Sequence, residues 1–248
     1  MGRQPSPVDF VGEASLRSRG IGFSRSGPRH GELRRPATFI HRSAAPEALT
    51  RGPRGSPFES PEELFDEAYV SDRVAELDWA CRAAAIRAAM EAGLPKSYTL
   101  FVNAEPASLR TNCPPDLIET IESGTRRLRV VLELTERDLT NDPAAVLEAV
   151  RVARANGLGI AIDDMGAEPA SQAMMPLVRP DVVKLDRSLL QRGLSVVGAQ
   201  TVNGILAEIE RTGATVLAEG GSTTAMPFEI GRVPPDQAGD APVAAVVE

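Results

Sequence analysis

The alternation of short apolar strands with amphipathic helices predicts an α/β fold, a (β/α)8 barrel of the TIM type. Three observations lead there. Val/Ile/Leu-rich strands and helical segments take turns from about Tyr98 to Glu219, the mark of βαβ units and a parallel sheet. Each strand finishes on a polar residue: Asn103, Glu133, Asp163 with Asp164, Lys184, and Glu219. These ends stand 30, 30, 21 and 35 positions apart, about one βα unit each. In a barrel such ends converge on a single mouth. A doubly wound sheet would instead place its ligand at one switch point beside a Gly-rich phosphate loop, and the sequence holds no such loop.

The elements follow in order. Residues 1–46 mix Gly, Pro, Ser and Arg without helical or alternating periodicity, and are expected to be disordered because they offer little to offset the entropy of ordering. Ser60 followed by Pro61, Glu62 and Glu63 starts a helix: a capping hydroxyl, Pro in the first turn, and acids at the positive dipole end. A second helix is expected over Ser71–Ala92, with Val74, Leu77, Ala80, Cys81, Ala84 and Ala88 on one stripe and Gly93 as its stop. Then come strand Tyr98–Asn103, helix Pro114–Ser123, strand Leu128–Leu134 and helix Pro143–Ala155, closed by Asn156-Gly157. Strand Leu158–Asp163, a short helix near Ala170–Val178, strand Asp181–Asp186, helix Ala199–Arg211 and strand Ala214–Glu219 complete the series. The first and last strands of a closed barrel are not recognisable, so the barrel reads as incomplete.

Charge and composition narrow the function. The net charge of −7 conceals a balance of +6 over residues 1–56 and −13 over the rest. The basic end lacks the interleaved aromatics and periodicity of a nucleic-acid arm, so no nucleic-acid polymer is expected as a partner. No apolar run approaches the ~18 residues that span a bilayer, and no apolar stretch follows the early arginines as in a secretory signal. Two cysteines, Cys81 and Cys113, make neither a disulfide framework nor a structural zinc site. The cytoplasm is the expected compartment.

Asn103, Glu133, Asp163, Asp164 and Glu219 form an oxygen-rich set, and both histidines, His30 and His41, lie far from it in the sequence. Hard oxygen ligands favour Mg²⁺ or Mn²⁺. Asp163-Asp164 is the sharpest feature, because strand alternation sends the two carboxylates in different directions. An isolated Asp-Asp pair also reads as a turn or helix cap. Lys184 is one of two lysines against 25 arginines, which suggests a need for a compact ammonium; a side chain snorkelling at a barrel rim is the plainer alternative. Paired divalent ions beside an ammonium suit phosphodiester hydrolysis, since they lower the pKa of water and neutralise developing charge.

The runs EALTR (Glu47–Arg51), FVN (Phe101–Asn103), ELTE (Glu133–Glu136), DDMG (Asp163–Gly166), PDVVKLD (Pro180–Asp186) and AEG (Ala218–Gly220) resemble the EAL domain family. That family comprises cyclic di-GMP-specific phosphodiesterases and degenerate members that only bind or signal. The resemblance covers residues 47–220, with an irregular tail over 221–248, and it implies a barrel of EAL type. It implies hydrolysis of cyclic di-GMP to linear pGpG with Mg²⁺ or Mn²⁺, two ions in all; the alternative is an inactive module that binds cyclic di-GMP or a partner protein. Glu47, Asn103, Glu133 and Asp163 would be metal ligands, with Asp164 bridging the ions. Lys184 would hold the attacking water or the phosphate, and Glu219 would be a further acid and general base. Arg51 would contact the substrate phosphate, and Glu136 would tie down the loop after Asp163-Asp164. A homodimer is an assembly known in the family. Where the family's loop reads DDFGTGYSS, this chain reads DDMGAEPAS, and the usual VET after AEG is replaced by Gly221-Ser222-Thr223.

Overall fold

The computed structural model describes residues 15–17, 47–50, 52, 55–106, 108–166, 169–186 and 196–218. They fall into two compact units, one within Met1–Arg19, Ser43–Leu134 and Asp142–Ile160, the other within Gly20–Arg42, Thr135–Asn141 and Ala161–Glu248.

In the first unit, strand β1 (Ser15–Arg17) pairs antiparallel with β2 (Glu47–Leu49), Leu16 standing opposite Ala48. The sequence shows no strand signal at Ser15–Arg17: three residues are too few for periodicity, and the pairing itself defines the element. The EAL run, too, is a strand. From β2 the sheet continues in parallel through β3 (Thr99–Asn103) to β4 (Arg129–Thr135). β3 buries Leu100, Phe101 and Val102, while Val130, Val131, Leu132, Glu133 and Leu134 are buried in an unbroken run. Burial on both faces is the signature of a covered parallel sheet.

The helices of this unit follow their caps. Ser60 Oγ accepts the Glu63 N–H at the start of α1 (Pro61–Val70), and Asp142 accepts the Ala145 N–H at the start of α5 (Pro143–Ala155), each followed by Pro. Helix α2 (Val74–Glu91) buries its expected stripe apart from the half-buried Ala88, and Asp78, Arg82, Ala83, Ala85, Ile86 and Ala89 are also inside. Its alanines allow neighbours to approach from several sides. Against it lies α3 (Ile118–Arg127), where a Cβ on Gly124 would stand 2.1 Å from Ile86 Cγ2. α3 begins later than the expected Pro114, because Pro115 disfavours helical backbone at the residue before it; residues 115–117 turn, and the Leu117 N–H bonds the Pro114 carbonyl at 2.9 Å.

The second unit holds α4 (Glu136–Asn141), β5 (Gly159–Met165) from Ala161 onward, a 3-10 turn (Pro169–Met174), α6 (Met175–Val178), β6 (Val182–Leu185), α7 (Val196–Thr212) and β7 (Thr215–Ala218). β5, β6 and β7 run parallel, and the β5–β6 ladder slips between Ile162 and Met165. Met165, Met175, Val178, Val183, Leu185, Ile205 and Ile209 form its interior, each at 1% exposure or less. Burying a side chain of this size contributes about 1.5–3 kcal/mol. Among the described residues no helix is long and apolar enough to cross a membrane.

Candidate functional site

The first unit places two of the expected polar strand ends side by side. Asn103 and Glu133 are register partners on β3 and β4, so their side chains leave the same face about 4.8 Å apart along the ladder. Asn103 is exposed and Glu133 is 2% exposed. The ladder extends one residue further, with the Ala104 N–H bonded to the Glu133 carbonyl at 3.0 Å. Glu47 pairs with Phe101, two residues short of Asn103, so its backbone sits at a position of matching parity.

The second unit gathers Asp163, Asp164, Lys184 and Glu136 around the end of β5. Lys184, in the fully buried strand β6, is 4% exposed, and its Nζ donates to Asp163 Oδ2 at 3.0 Å. Asp163 Oδ1 accepts the N–H of Asp164 at 2.9 Å. That bond accompanies a left-handed backbone at Asp164, φ +55°, a conformation uncommon outside glycine and tolerated by Asp. The kink coincides with the ladder slip, and it leaves Asp163 half-buried while Asp164 stands exposed. Strained backbone held by its surroundings concentrates at functional sites.

Glu136 is 2% exposed at the start of α4. Its Oε1 accepts the Gly166 N–H at 2.9 Å and the Ser171 hydroxyl at 2.5 Å. The carboxylate thereby links the two ends of the segment that follows Asp163-Asp164. Ser171 is a partner the sequence reading does not single out. Its signal was present: it is the serine that DDMGAEPAS retains from the family's DDFGTGYSS.

Arg51 and Glu219 lie outside the described residues, as does the side chain of Glu47; Glu219 directly follows the last residue of β7. Among the described residues no group of three or more His, Cys, Asp or Glu is placed to hold a metal ion. The available donors, Asn103 and Glu133 in one unit and Asp163 and Asp164 in the other, are all oxygen, the chemistry that suits a hard divalent cation. Asp163 can serve as such a donor while bonded to Lys184 and Asp164, because each carboxylate oxygen carries two lone pairs. A cavity of about 470 Å³ in the first unit, bordered by Trp79, Ile86, Val130 and Leu132, includes none of these carboxylates.

Comparison with known proteins agrees with the motifs. The model of the EAL domain family matches residues 41–225. A protein of Azorhizobium caulinodans is 33% identical over 116 residues, covering 44% of this chain and 16% of its own length. The probable cyclic di-GMP phosphodiesterase PdeD of Escherichia coli is 26% identical over 136 residues, covering 52% of this chain and 24% of its own. Among solved structures, Klebsiella pneumoniae BlrP1 in a manganese and cyclic di-GMP complex superposes with a TM-score of 0.59 at 28% identity, over 73% of this chain and 46% of that one. A calcium and cyclic di-GMP complex of the same protein gives a TM-score of 0.60. The matched region is thus less than half of each relative. Its fold is the TIM-barrel-like α/β fold of those neighbours, and the chain belongs to the EAL domain family.

Proposed function

We propose that this chain is a metal-dependent phosphodiesterase that hydrolyses cyclic di-GMP to linear pGpG with Mg²⁺ or Mn²⁺, as a cytoplasmic element of bacterial second-messenger signalling. The observation that carries this reading is the bond of buried Lys184 to half-buried Asp163 beside the kinked, exposed Asp164, in an EAL domain similar to the probable cyclic di-GMP phosphodiesterase PdeD. Glu47, Asn103, Glu133, Asp163 and Asp164 are the residues that would hold two ions, and Asp164 would serve both. Bound there, divalent ions would supply Lewis acidity and lower the pKa of water.

The chain's own groups do the rest. Lys184 is fixed by Asp163 in a low-dielectric strand, so its ammonium can orient the attacking water or offset charge building on the phosphate without reorganising. The proton leaving that water goes to Glu219. Arg51 binds a substrate phosphate oxygen. Glu136 holds the Gly166 amide and Ser171, and thereby keeps the loop after Asp164 in one conformation.

Turnover of cyclic di-GMP by the purified chain, following pGpG with Mg²⁺ or Mn²⁺, tests this reading, with Asp164→Ala alongside. Product that disappears in the variant supports it. Cyclic di-GMP binding without turnover by a folded chain would replace it with a second reading, a binding module, which the altered DDMGAEPAS loop favours.

A further inference from the structure

A buried polar cluster in the first unit is bonded to the segment that follows Asn103. Asp78 and Arg82 stand one turn apart on α2, 2% and 4% exposed, with Arg82 Nη2 2.7 Å from Asp78 Oδ2. Ser108, fully buried in a 3-10 turn (Ser108–Arg110), sits 2.7 Å from Arg82 Nη2 and 2.5 Å from Asp78 Oδ2. Asp78 Oδ1 accepts the backbone N–H of Glu105 at 3.3 Å, and the Ser108 N–H bonds the Glu105 carbonyl at 3.0 Å. The Arg82 guanidinium lies 3.8 Å over the Trp79 ring, whose Nε1–H donates to Thr111 Oγ1 at 3.0 Å.

Four of these bonds, from Asp78 to Ser108 and Glu105, from Arg82 to Ser108 and from Trp79 to Thr111, join α2 to the segment that starts two positions after Asn103. The β3–β4 ladder secures the chain only as far as Ala104; from Glu105 the cluster takes over. A charge pair taken out of water is rarely more stabilising than apolar side chains of the same volume, and α2 is otherwise packed through alanines and a few larger apolar groups. What the pair adds is direction: a carboxylate with two oxygens and a guanidinium with several donors specify where the backbone leaves β3. We propose that Asp78, Arg82 and Ser108 are positioning residues that set the orientation of Asn103 toward a divalent cation. This rests on the reading of Asn103 as a metal ligand given above.

Groups that orient a ligand without touching the ion typically change metal affinity 10–100-fold. Here the action passes through backbone, so the low end is expected. Mn²⁺ affinity of the whole chain, measured by electron paramagnetic resonance, is the readout, with amide exchange at Glu105 beside it. Ser108→Ala removes the hydroxyl but leaves the direct Asp78–Arg82 contact, and Asp78→Asn keeps an acceptor for Glu105. Ile205→Ala, fully buried on α7 in the second unit, supplies general destabilisation at a position outside the cluster. The expected result is about tenfold weaker Mn²⁺ binding in both cluster variants and faster Glu105 exchange in Ser108→Ala, which loses the hydroxyl bond to the Glu105 carbonyl, with Ile205→Ala changing neither. Unchanged affinity in both cluster variants overturns the proposal, as does an equal loss in Ile205→Ala. If the unaltered chain binds no Mn²⁺, the ligand reading of Asn103 fails first and the positioning role falls with it.

Discussion

Exchanging Lys184 for Met and Asp163 for Asn, singly and together, measures what the ion pair at the ends of β5 and β6 contributes. The two charges are 3.0 Å apart, with side chains 6% and 16% exposed. At an effective dielectric constant of ~20 their attraction is about 5.5 kcal/mol before any opposing term. Two effects reduce it. Water reaches the more open Asp163, and the Asn side chain retains an oxygen that can accept from the same ammonium. An interaction energy of about 2 kcal/mol is expected from the cycle, which cancels whatever else either side chain touches. Urea unfolding at pH 7 with a chelator present provides the four free energies, provided the slopes agree. Added salt should change the result little, because buried pairs are weakly screened. An interaction energy below ~0.5 kcal/mol would refute the picture of a held ammonium, and with it the role assigned to Lys184.

Three further outcomes test the surroundings. Burial pushes the Asp78 carboxyl above its ordinary value of 3.8, so the folded chain binds that proton more readily than the unfolded one. Its stabilising contribution is complete below 3.8 and is lost as pH rises through the elevated folded value. Unfolding free energies of Asp78→Asn should therefore improve relative to the unaltered chain as pH rises from about 4; a flat difference would count against this. The Cys81 thiol is pushed up to about 12 by burial, so a thiol reagent at pH 8 should modify the more accessible Cys113 first and Cys81 only in denaturant, read by peptide mass. Glu136→Ala should cost about 1–3 kcal/mol and accelerate exchange at the Gly166 amide, which loses its acceptor, while Glu136→Gln should cost less. Equal effects of Ala and Gln would show that the hydrogen bonds to Gly166 and Ser171 do not hold this segment.

The residues that make chemistry legible in the sequence are those whose role depends on local pattern. Asn103, Glu133, Asp163, Asp164 and Lys184 each end or sit within a short apolar run, and that pattern alone singles them out. Glu136 could be assigned to the following loop only through the family motif, and its bonds to Gly166 and Ser171 span 30 and 35 residues. Asp78 and Arg82 illustrate the opposite case. Separated by four positions on a helix, they read as an ordinary solvent-exposed pair, and only the packing around α2 takes both out of water.

The sequence carries the order of strands β3 to β7 with the helices between them except α4, the cap at Ser60, and the oxygen-rich character of the strand ends, because apolar periodicity and capping are encoded within a few neighbouring residues. The tertiary structure alone decided that Ser15–Arg17 is a strand, that Asp164 turns left-handed where the β5–β6 ladder slips, and that a charged pair on α2 is buried against the segment after Asn103. Each of these depends on a partner far along the chain. Pairing, register and burial are properties of two segments meeting, and no local pattern in either one carries them.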